Sequence, residues 1–508
     1  MSTRCKRILA LAMLSWGCAA NRPSPAAQQA QAPLSVSQMQ QIAHEAYLAE
    51  KAGDLPDARD KYMTIIRDAG FPALTSATQH SIVHAAGAID NELEDWAGAR
   101  SLLLRASAMQ ERTGNDFWSL MVANEHLRDL RGEMQAMTEL ARVDPQMFAK
   151  ATPGSVFIAA RESIALNDPE LRFHFLAAVV DAGYVRFDGE PSSWLQRELA
   201  VAAIERGDVA RAEQTWLHVQ DARRLPDLLD DRRFDFIVAR HPGAFDIGRM
   251  GTEQLQRLRR RVAQKPRSLA VLLSLASATG GMGNVREMLA LTDEALARIA
   301  ASKTSPYDDL DRELGTLRDT RADALWELGR HEDALDELER ASRVPFRGRP
   351  NVAERLNLAQ RYCDLGRPQK ALSTLDDLVE NGDRTKYGSM DMALSRFRAA
   401  VQVGDSEAAA AALEYLRSHK VESPAAFVDA LLQSERLDEA AQQLVADLED
   451  PWLRADALHW VQHFPDIAPL TPVLQQRQAN WATIEAREDV KAAIGRVGRM
   501  GKYPLVQF

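Results

Sequence analysis

Residues 357–378 read "NLAQRYCDLGRPQKALSTLDDL", and this stretch contains two short apolar stripes separated by a glycine. Each stripe repeats at steps of four and three residues, with Leu358, Tyr362 and Leu365 in the first and Ala371, Leu375 and Leu378 in the second. This periodicity predicts two amphipathic helices. Gly366 suits the left-handed end of the first helix, and Pro368 suits the first turn of the second. The connection between them is so short that we expect an antiparallel pair.

The same punctuation, a glycine followed five residues later by an alanine, recurs along the chain. The clear copies are Gly53 with Ala58, Gly207 with Ala212, Gly329 with Ala334, Gly366 with Ala371, and Gly404 with Ala409. Looser copies are Glu94 with Ala99, Glu435 with Ala440, Gly132 with Met137, and Gly283 with Met288. A small residue at the second position lets two helix axes approach closely. We therefore expect these glycines and alanines to pack a helical repeat.

This pattern resembles the tetratricopeptide repeat (TPR), which pairs small residues in two helices with a glycine at the hinge. The best local match is 352–385, and further copies cover 39–70, 80–112 and 193–226. The spacing of the last hinges is nearer 37 residues than the 34 of the family. The resemblance implies an all-α, TPR-like solenoid of stacked antiparallel helix pairs, with some degenerate or non-repeat helical segments. Such a solenoid has a long concave face that binds chains or helices.

We expect the chain to divide into a signal peptide, a tether, two blocks of repeats with a junction between them, and a cap. The corresponding boundaries are 1–17 for a lipoprotein-type signal peptide, 18–37 for a disordered tether, 38–226 for N-terminal TPR-like repeats, 227–267 for an irregular junction or insert, 268–448 for C-terminal TPR-like repeats, and 449–508 for a helical cap. The tether is rich in Ala, Gln, Pro and Ser and cannot bury enough apolar surface to fold. Segment 228–251 breaks the repeat pattern, and an insert and a domain junction both remain open.

The first 17 residues have the features of an export signal. Three cations without an acid precede the apolar run 8–16, which is too short to cross a bilayer. The run ends in "LSWGCAANRPSP", which resembles the lipobox of bacterial lipoproteins at Gly17 and Cys18, although Ser15 and Trp16 depart from it. The resemblance implies lipidation of Cys18, and Ala19 after it implies the outer membrane, facing the periplasm. Cleavage by an ordinary signal peptidase, giving a soluble periplasmic or secreted protein, stays open.

Composition limits the classes of partner and chemistry. The chain has 72 acidic and 62 basic residues and a formal charge of -10, so its field repels polyanions, and we expect no nucleic-acid partner. Of its three cysteines, Cys5 leaves with the signal and Cys18 would carry lipid, which excludes a disulfide framework. The remaining Cys363 fits a small buried hydrophobe better than a reactive thiol.

Two histidine pairs have the spacing of metal ligands, namely His80 with His84 and His459 with His463. Neither pair encloses the glutamate of a zinc protease, so we interpret them as solvated or capping histidines and expect no metal and no cofactor. The glycines at 495, 498 and 501 do not have the spacing of a phosphate-binding loop. We predict that the chain is not an enzyme, with a catalytic site in the non-repeat stretches 145–190 or 228–265 as the rival hypothesis.

One basic cluster, "EQLQRLRRRVAQKPR" at 253–267, places Arg257, Arg260 and Arg261 on one helical face. This face suits either an anionic glycan or phospholipid headgroup, or a solvated surface with acidic neighbours, which is the commoner arrangement.

The TPR register also predicts which side chains line the concave face. These partner-binding candidates are Tyr47, Glu50, Trp194, Arg197, Asp319, Asp323, Trp326, Gln360 and Arg398. Trp326 lies among carboxylates, as expected of an anchor for a basic or aromatic-containing segment, or else it packs against the adjacent repeat. We therefore expect an outer-membrane-anchored periplasmic scaffold that binds a protein or peptide partner in envelope assembly or secretion. The alternative is an adaptor for polysaccharide export or cell-wall glycan synthesis, with a glycan as ligand.

Overall fold

The computed structural model of the chain describes residues 32–346, 348, 350–379, 386–466 and 468–506. These residues form 27 α-helices and four short 3-10 helices, and their β structure is confined to isolated bridges, three of which join two described residues. The predicted signal peptide, Cys18 and most of the tether lie outside the described residues. The first helix begins at Val36, just inside the range 18–37 that we assigned to the tether.

The N-terminal half contains eleven α-helices, most of them in adjacent pairs. They are α1 (Val36–Ala52), α2 (Leu55–Arg67), α3 (Ser76–Glu92), α4 (Trp96–Ser107), α5 (Gly114–His126), α6 (Leu130–Val143), α7 (Pro145–Phe148), α8 (Pro153–Glu162), α9 (Pro169–Asp181), α10 (Ser193–Glu205) and α11 (Val209–Leu217). Short 3-10 helices cover Phe71–Ala73 and Ser163–Leu166.

The remaining helices begin with short elements and then return to regular pairs. They are α12 (Leu225–Asp230), α13 (Asp235–Arg240), α14 (Ile247–Gln264), α15 (Leu269–Gly281), α16 (Val285–Ala301), α17 (Leu310–Glu327), α18 (His331–Ser342), α19 (Val352–Asp364), α20 (Pro368–Val379), α21 (Lys386–Val403), α22 (Ser406–Ser418), α23 (Pro424–Gln433), α24 (Leu437–Glu449), α25 (Arg454–Trp460), α26 (Pro472–Glu485) and α27 (Glu488–Val497). The other 3-10 helices are Ala222–Arg224 and Arg232–Phe234.

Each regular hinge is a single residue in the left-handed backbone region. Gly53, Gly207, Gly329, Gly366 and Gly404 have φ between 66° and 81°. Where glycine is replaced, the conformation persists at Glu94 (φ 62°), Arg128 (φ 56°) and Glu435 (φ 56°), at a steric cost to the side chain. In five hinges the next residue is an aspartate that caps the following helix, at positions 54, 95, 129, 208 and 405.

The structure corrects one repeat that we placed from the sequence. Gly132 is not a hinge, because it lies inside α6, and the left-handed residue is Arg128. The position five residues after the true hinge is therefore Glu133 instead of Met137. A partly buried glutamate occupies the place where the other repeats have an alanine, methionine or similar apolar residue. Burial, followed by the charges of Glu125 and Glu162, raises the pKa of Glu133 to about 8.

The helix pairs stack in sequence order and form two layers, as expected for a TPR-like α-solenoid. Second helices contact the first helix of the next pair at α2–α3, α4–α5, α16–α17, α18–α19 and α20–α21. First helices also contact one another, at α3–α5, α15–α17, α19–α21 and α21–α23. We call these first helices the inner layer. Ala58, Ala212, Ala334 and Ala371 are fully buried, whereas Ala409 keeps some exposure.

The last part of the chain, residues 450–506, folds back against the inner layer, and we call it the C-terminal segment. Helices α26 and α27 pack on α24 at the end of the stack, while α25 contacts α12 in the irregular stretch. Beyond α27, the amide of Arg499 donates to the Asp230 carbonyl at 3.0 Å, and Val506 donates to the Gly281 carbonyl at 2.9 Å. At Gly498 a β-carbon would collide with the Asp230 carbonyl, so only glycine permits this approach.

A buried ion network fixes the C-terminal segment to the N-terminal repeats. Asp456 of α25 accepts hydrogen bonds from Arg161 of α8 and from Arg197 of α10, the latter at 2.5 Å. Burial alone would raise the pKa of Asp456, but the two guanidiniums hold it below its usual range. Asp227 of α12 accepts from His459 at 3.1 Å. The stretch 227–235 therefore holds the end of the chain, since the Asp230 carbonyl and the Asp235 carboxylate also accept hydrogen bonds from Arg499.

Within the described residues, no helix combines the length and the hydropathy that a membrane span requires.

Candidate partner-binding surface inside the solenoid

A cleft opens on the inner side of the solenoid where the N-terminal repeats meet α14, α15 and α17. It has a volume of about 400 Å³, and we call it the central cleft. Phe187 and Trp194 contribute aromatic surface to it, and hydroxyl groups of α15 and α17 lie opposite. The hydroxyl-bearing residues are Ser274, Ser277, Thr316 and Thr320. Phe187 is 42% exposed, so the part of its ring that Arg312 does not cover is available to a ligand.

The loop that carries Phe187 is held by the basic face of α14. Glu190 accepts from the Arg257 guanidinium at 3.0 Å and from that of Arg261, which also donates to the Asp188 carbonyl at 2.6 Å. Asp188 in turn accepts from Ser274 at 2.5 Å. Two of the three arginines that we singled out therefore bind an acidic loop of the same chain, whereas Arg260 is exposed.

The other charges of the cleft are also paired. Arg223 binds Asp221 at 2.9 Å and donates to Ser277 at 3.1 Å. Burial alone would raise the pKa of Asp221, but the adjacent Arg223 lowers it below its usual range. Glu313 accepts from Arg312 at 2.7 Å, and the Arg312 guanidinium lies 4.1 Å from the centre of the Phe187 ring. The cleft thus offers aromatic and hydroxyl groups between ion pairs that are already satisfied.

Further along α17 the inner surface becomes acidic. Asp319, Asp323 and Glu327 follow one another along α17, and Glu354 of α19 contacts Asp319; we call these four carboxyl groups the acidic recess. Asn357 donates to Asp319 at 3.1 Å, and Arg361 binds Asp323 at 3.3 Å. Burial, followed by the Glu354 charge, raises the pKa of Asp319 to about 8. Burial and the Asp319 charge raise the pKa of Asp323 to about 7.

Several candidates from the sequence meet in these two places. Trp194 lies in the central cleft, and Asp319 and Asp323 lie in the acidic recess. Trp326 is 5% exposed, with Arg361 over its ring at 4.4 Å and the His331 ring at 4.5 Å. The Trp326 indole therefore packs against the Arg361 guanidinium, which binds Asp323.

The other candidates lie elsewhere. Arg197 is buried and binds Glu198 and Asp456, and Arg398 is buried and binds Asp364, so both guanidiniums stabilise the interior. Gln360 of α19 is partly exposed. Tyr47 and Glu50 lie on α1, in the first repeat, where Tyr47 is 47% exposed and the Lys51 ammonium lies 5.3 Å from the centre of its ring. The structure does not bring this first-repeat pair into the cleft or the recess.

Sequence reasoning did not identify the loop 185–191, Glu354 or Arg361 as part of this surface. The loop lies in a part of the sequence without a clear repeat pattern. Its only local signal is "FDGEP" at 187–191, whose glycine and proline indicate a turn. Glu354 and Arg361 flank Gln360 on the same helix, and their position next to α17 depends on how two successive pairs pack.

The histidine and cysteine candidates have structural surroundings. His80 and His84 both contact Asp116, at 2.9 and 2.7 Å. Burial alone would raise the pKa of Asp116, but hydrogen bonds from His84, the Thr113 amide and His80 lower it to about 2. The described residues contain no group of three or more His, Cys, Asp or Glu side chains arranged to hold a metal ion. Cys363 is fully buried, and burial raises its pKa to about 11.

No protein-family model matches the chain, and no curated protein does. Among solved structures it is similar to the APC/C hetero-tetramer Cut9-Hcn1, with 14% identity over 91% of this chain and 90% of that one and a TM-score of 0.30. It is also similar to Rap protein complexed with competence and sporulation factor (11% identity, 79% and 99% coverage, TM-score 0.32) and to yeast Tom70 (11%, 91% and 99%, 0.33). At these TM-scores the similarities support no further inference, and the fold assignment rests on the stacked helix pairs themselves.

Proposed function

We propose that the chain is a binding scaffold that holds a segment of a protein partner against its inner layer. The observation that carries the proposal is the continuous, partly exposed polar surface that runs from the central cleft along α17 to the acidic recess. Main-chain groups of a bound segment would find hydroxyl partners at Ser277, Thr316 and Thr320, and the aromatic walls would cover a side chain. Paired charges in the cleft support binding over catalysis, because ion pairs already engage those groups.

We further propose that the scaffold works in a bacterial envelope, as a lipoprotein anchored through Cys18 to the outer membrane and facing the periplasm. The support is the resemblance of 15–18 to a lipobox and the charged, then apolar, start of the sequence. In this setting the partner would belong to envelope assembly or secretion. Labelling with radioactive palmitate tests the anchor, since label on the wild type and none on Cys18→Ala is expected. Equal label on both would overturn this assignment.

Site-specific photo-crosslinking in isolated envelopes tests the binding function. A photoreactive residue is placed on the inner layer at Thr316 or Thr320, and on the outer helix α18 at the exposed Asp333 or Asp336 as matched controls. We expect a defined crosslinked protein from the inner positions and none from the outer ones. Crosslinks only from the outer positions would contradict the proposal. An adduct with glycan in place of protein would favour the adaptor for polysaccharide export or cell-wall synthesis.

A further inference from the structure

The acidic recess has a regular geometry along α17. Asp319, Asp323 and Glu327 follow one another at steps of four residues, so they form one stripe along the helix. Four residues of helix advance about 6 Å, since each residue rises about 1.5 Å. Two residues of an extended chain advance about 6.6 Å. An extended peptide lying along α17 would therefore bring every second side chain opposite one carboxylate of the stripe.

The three carboxyl groups of α17 are partly buried and partly exposed. The Asp323 side chain is 23% exposed, and Asp319 and Glu327 are also partly exposed. Burial nevertheless raises the pKa of all three groups. Because all three side chains keep part of their surface exposed, a ligand lying along α17 can reach them. Once Asp323 and Asp319 have lost their protons, above about pH 7 and 8, a ligand that reaches them would meet negative charge in partly buried surroundings, where water screens it weakly.

Charge in the recess is not balanced by the described residues around it. The charged and titratable groups that act on it are Asp319, Asp323 and Glu327 on α17, His331 on α18, Glu354, Arg361 and Asp364 on α19, and Asp466 in the C-terminal segment. Asp364 is bound by Arg398, and burial lowers the pKa of His331, which favours its neutral form. Arg361 is therefore the cation that this set supplies to five carboxyl groups, and the raised pKa values of Asp319 and Asp323, about 8 and 7, keep part of this acid protonated at neutral pH.

One carboxylate also has an unused acceptor. Glu354 is 6% exposed, its carboxyl lies in hydrogen-bond contact with the Asp319, Asn357 and Asn351 side chains, and its Oε2 atom alone has no hydrogen-bond partner among the described residues. A buried acceptor without a partner costs roughly 1 to 3 kcal/mol, and more when it is charged. A donor from outside the chain would remove this penalty.

We propose that the acidic recess binds an extended protein segment with lysine or arginine at alternate positions. The inference rests on the proposed scaffold function and names the chemistry of its partner. Ammonium or guanidinium groups would pair with Asp319, Asp323 and Glu327 in turn, and the donor nearest Asp319 lies within reach of Glu354. The central cleft, which adjoins the recess through Thr316 and Thr320, would hold the neighbouring part of the same segment.

The test uses the full chain and two peptides of identical composition, acetyl-AKAKAKA-amide and acetyl-AAKKKAA-amide, with binding followed by fluorescence anisotropy of labelled peptides. We expect the alternating peptide to bind at least tenfold more tightly than the blocked one. Asp319→Asn/Asp323→Asn should weaken the alternating peptide at least tenfold, whereas the outer-face control Asp333→Asn/Asp336→Asn should leave it unchanged.

Equal affinity for both peptides, or for spermidine, would overturn the alternating register and hence the proposal. The comparison of the two peptides on the wild type needs no variant, so it stays decisive even if the double variant fails to fold. A protein crosslinked from Thr316 or Thr320, together with no binding of either peptide, would refute this inference and leave the scaffold function standing.

Discussion

Glu133 offers a sharp test of the repeat packing, because it fills the place of the small or apolar residue in the third helix pair. Its pKa is raised from an ordinary value of 4.5 to about 8. Between these values the folded state holds a proton that the unfolded state has lost, so the free energy of unfolding falls as pH rises from about 4.5 to 8. One pKa unit corresponds to about 1.4 kcal/mol, which gives an upper bound of about 3 kcal/mol at pH 7. Water at the partly exposed side chain reduces this to roughly 1 to 2 kcal/mol.

The substitution Glu133→Gln removes the charge and keeps the size of the side chain. We expect it to raise the urea midpoint at pH 8 by an amount equivalent to roughly 1 to 2 kcal/mol, and to change it little at pH 5. Helical circular dichroism follows the unfolding, and Glu139→Gln on the exposed side of α6 is the control. A shift of the same size at both pH values, or a lower midpoint at pH 8, would refute the assignment of Glu133 to the helix interface.

Four further predictions follow from other parts of the molecule. Ala371→Leu should overpack the α19–α20 contact and lower the free energy of unfolding by roughly 1 to 3 kcal/mol in urea titration, and an unchanged midpoint would contradict that contact. Tyr503→Phe removes the hydrogen bond to Asp230, so hydrogen exchange at 499–506 should accelerate severalfold while that of α1 to α4 stays the same. The Cys363 thiol should resist a thiol reagent in the native state at pH 8 and react in urea, whereas fast native labelling would show that it is not buried. Affinity for the alternating lysine peptide should rise from pH 6 to pH 9, because carboxyls of the recess with pKa values of about 7 and 8 ionise while lysine stays charged, and a flat profile would speak against them.

The fold was predictable because its signals are local. A left-handed hinge, the cap that follows it and a small residue on the next turn all lie within about two helical turns, so one sequence displays them. The same locality explains the error at Gly132. We placed the hinge at Gly132 because glycine adopts the left-handed conformation easily. The residue that adopts it is Arg128, whose side chain makes this conformation costly.

The interior of the solenoid was not predictable in the same way, because its contacts join distant parts of the chain. Arg499 and Asp230 are 269 positions apart in sequence, and no local pattern marks their contact. The basic face of α14 was visible as a stripe, but its partner Glu190 lies in a different repeat. From the sequence alone, the arginines of α14 could be either solvated or part of a binding site. Only the tertiary packing shows that Glu190 neutralises two of them.

The proposed function requires that the partner binds on the inner layer. Hydrogen–deuterium exchange of the full chain, with and without the protein recovered by crosslinking, measures this most directly. We expect slower exchange in α15, α17, α19 and the loop 185–191, with α16, α18 and α20 unchanged. Protection confined to α16, α18 and α20 would contradict it.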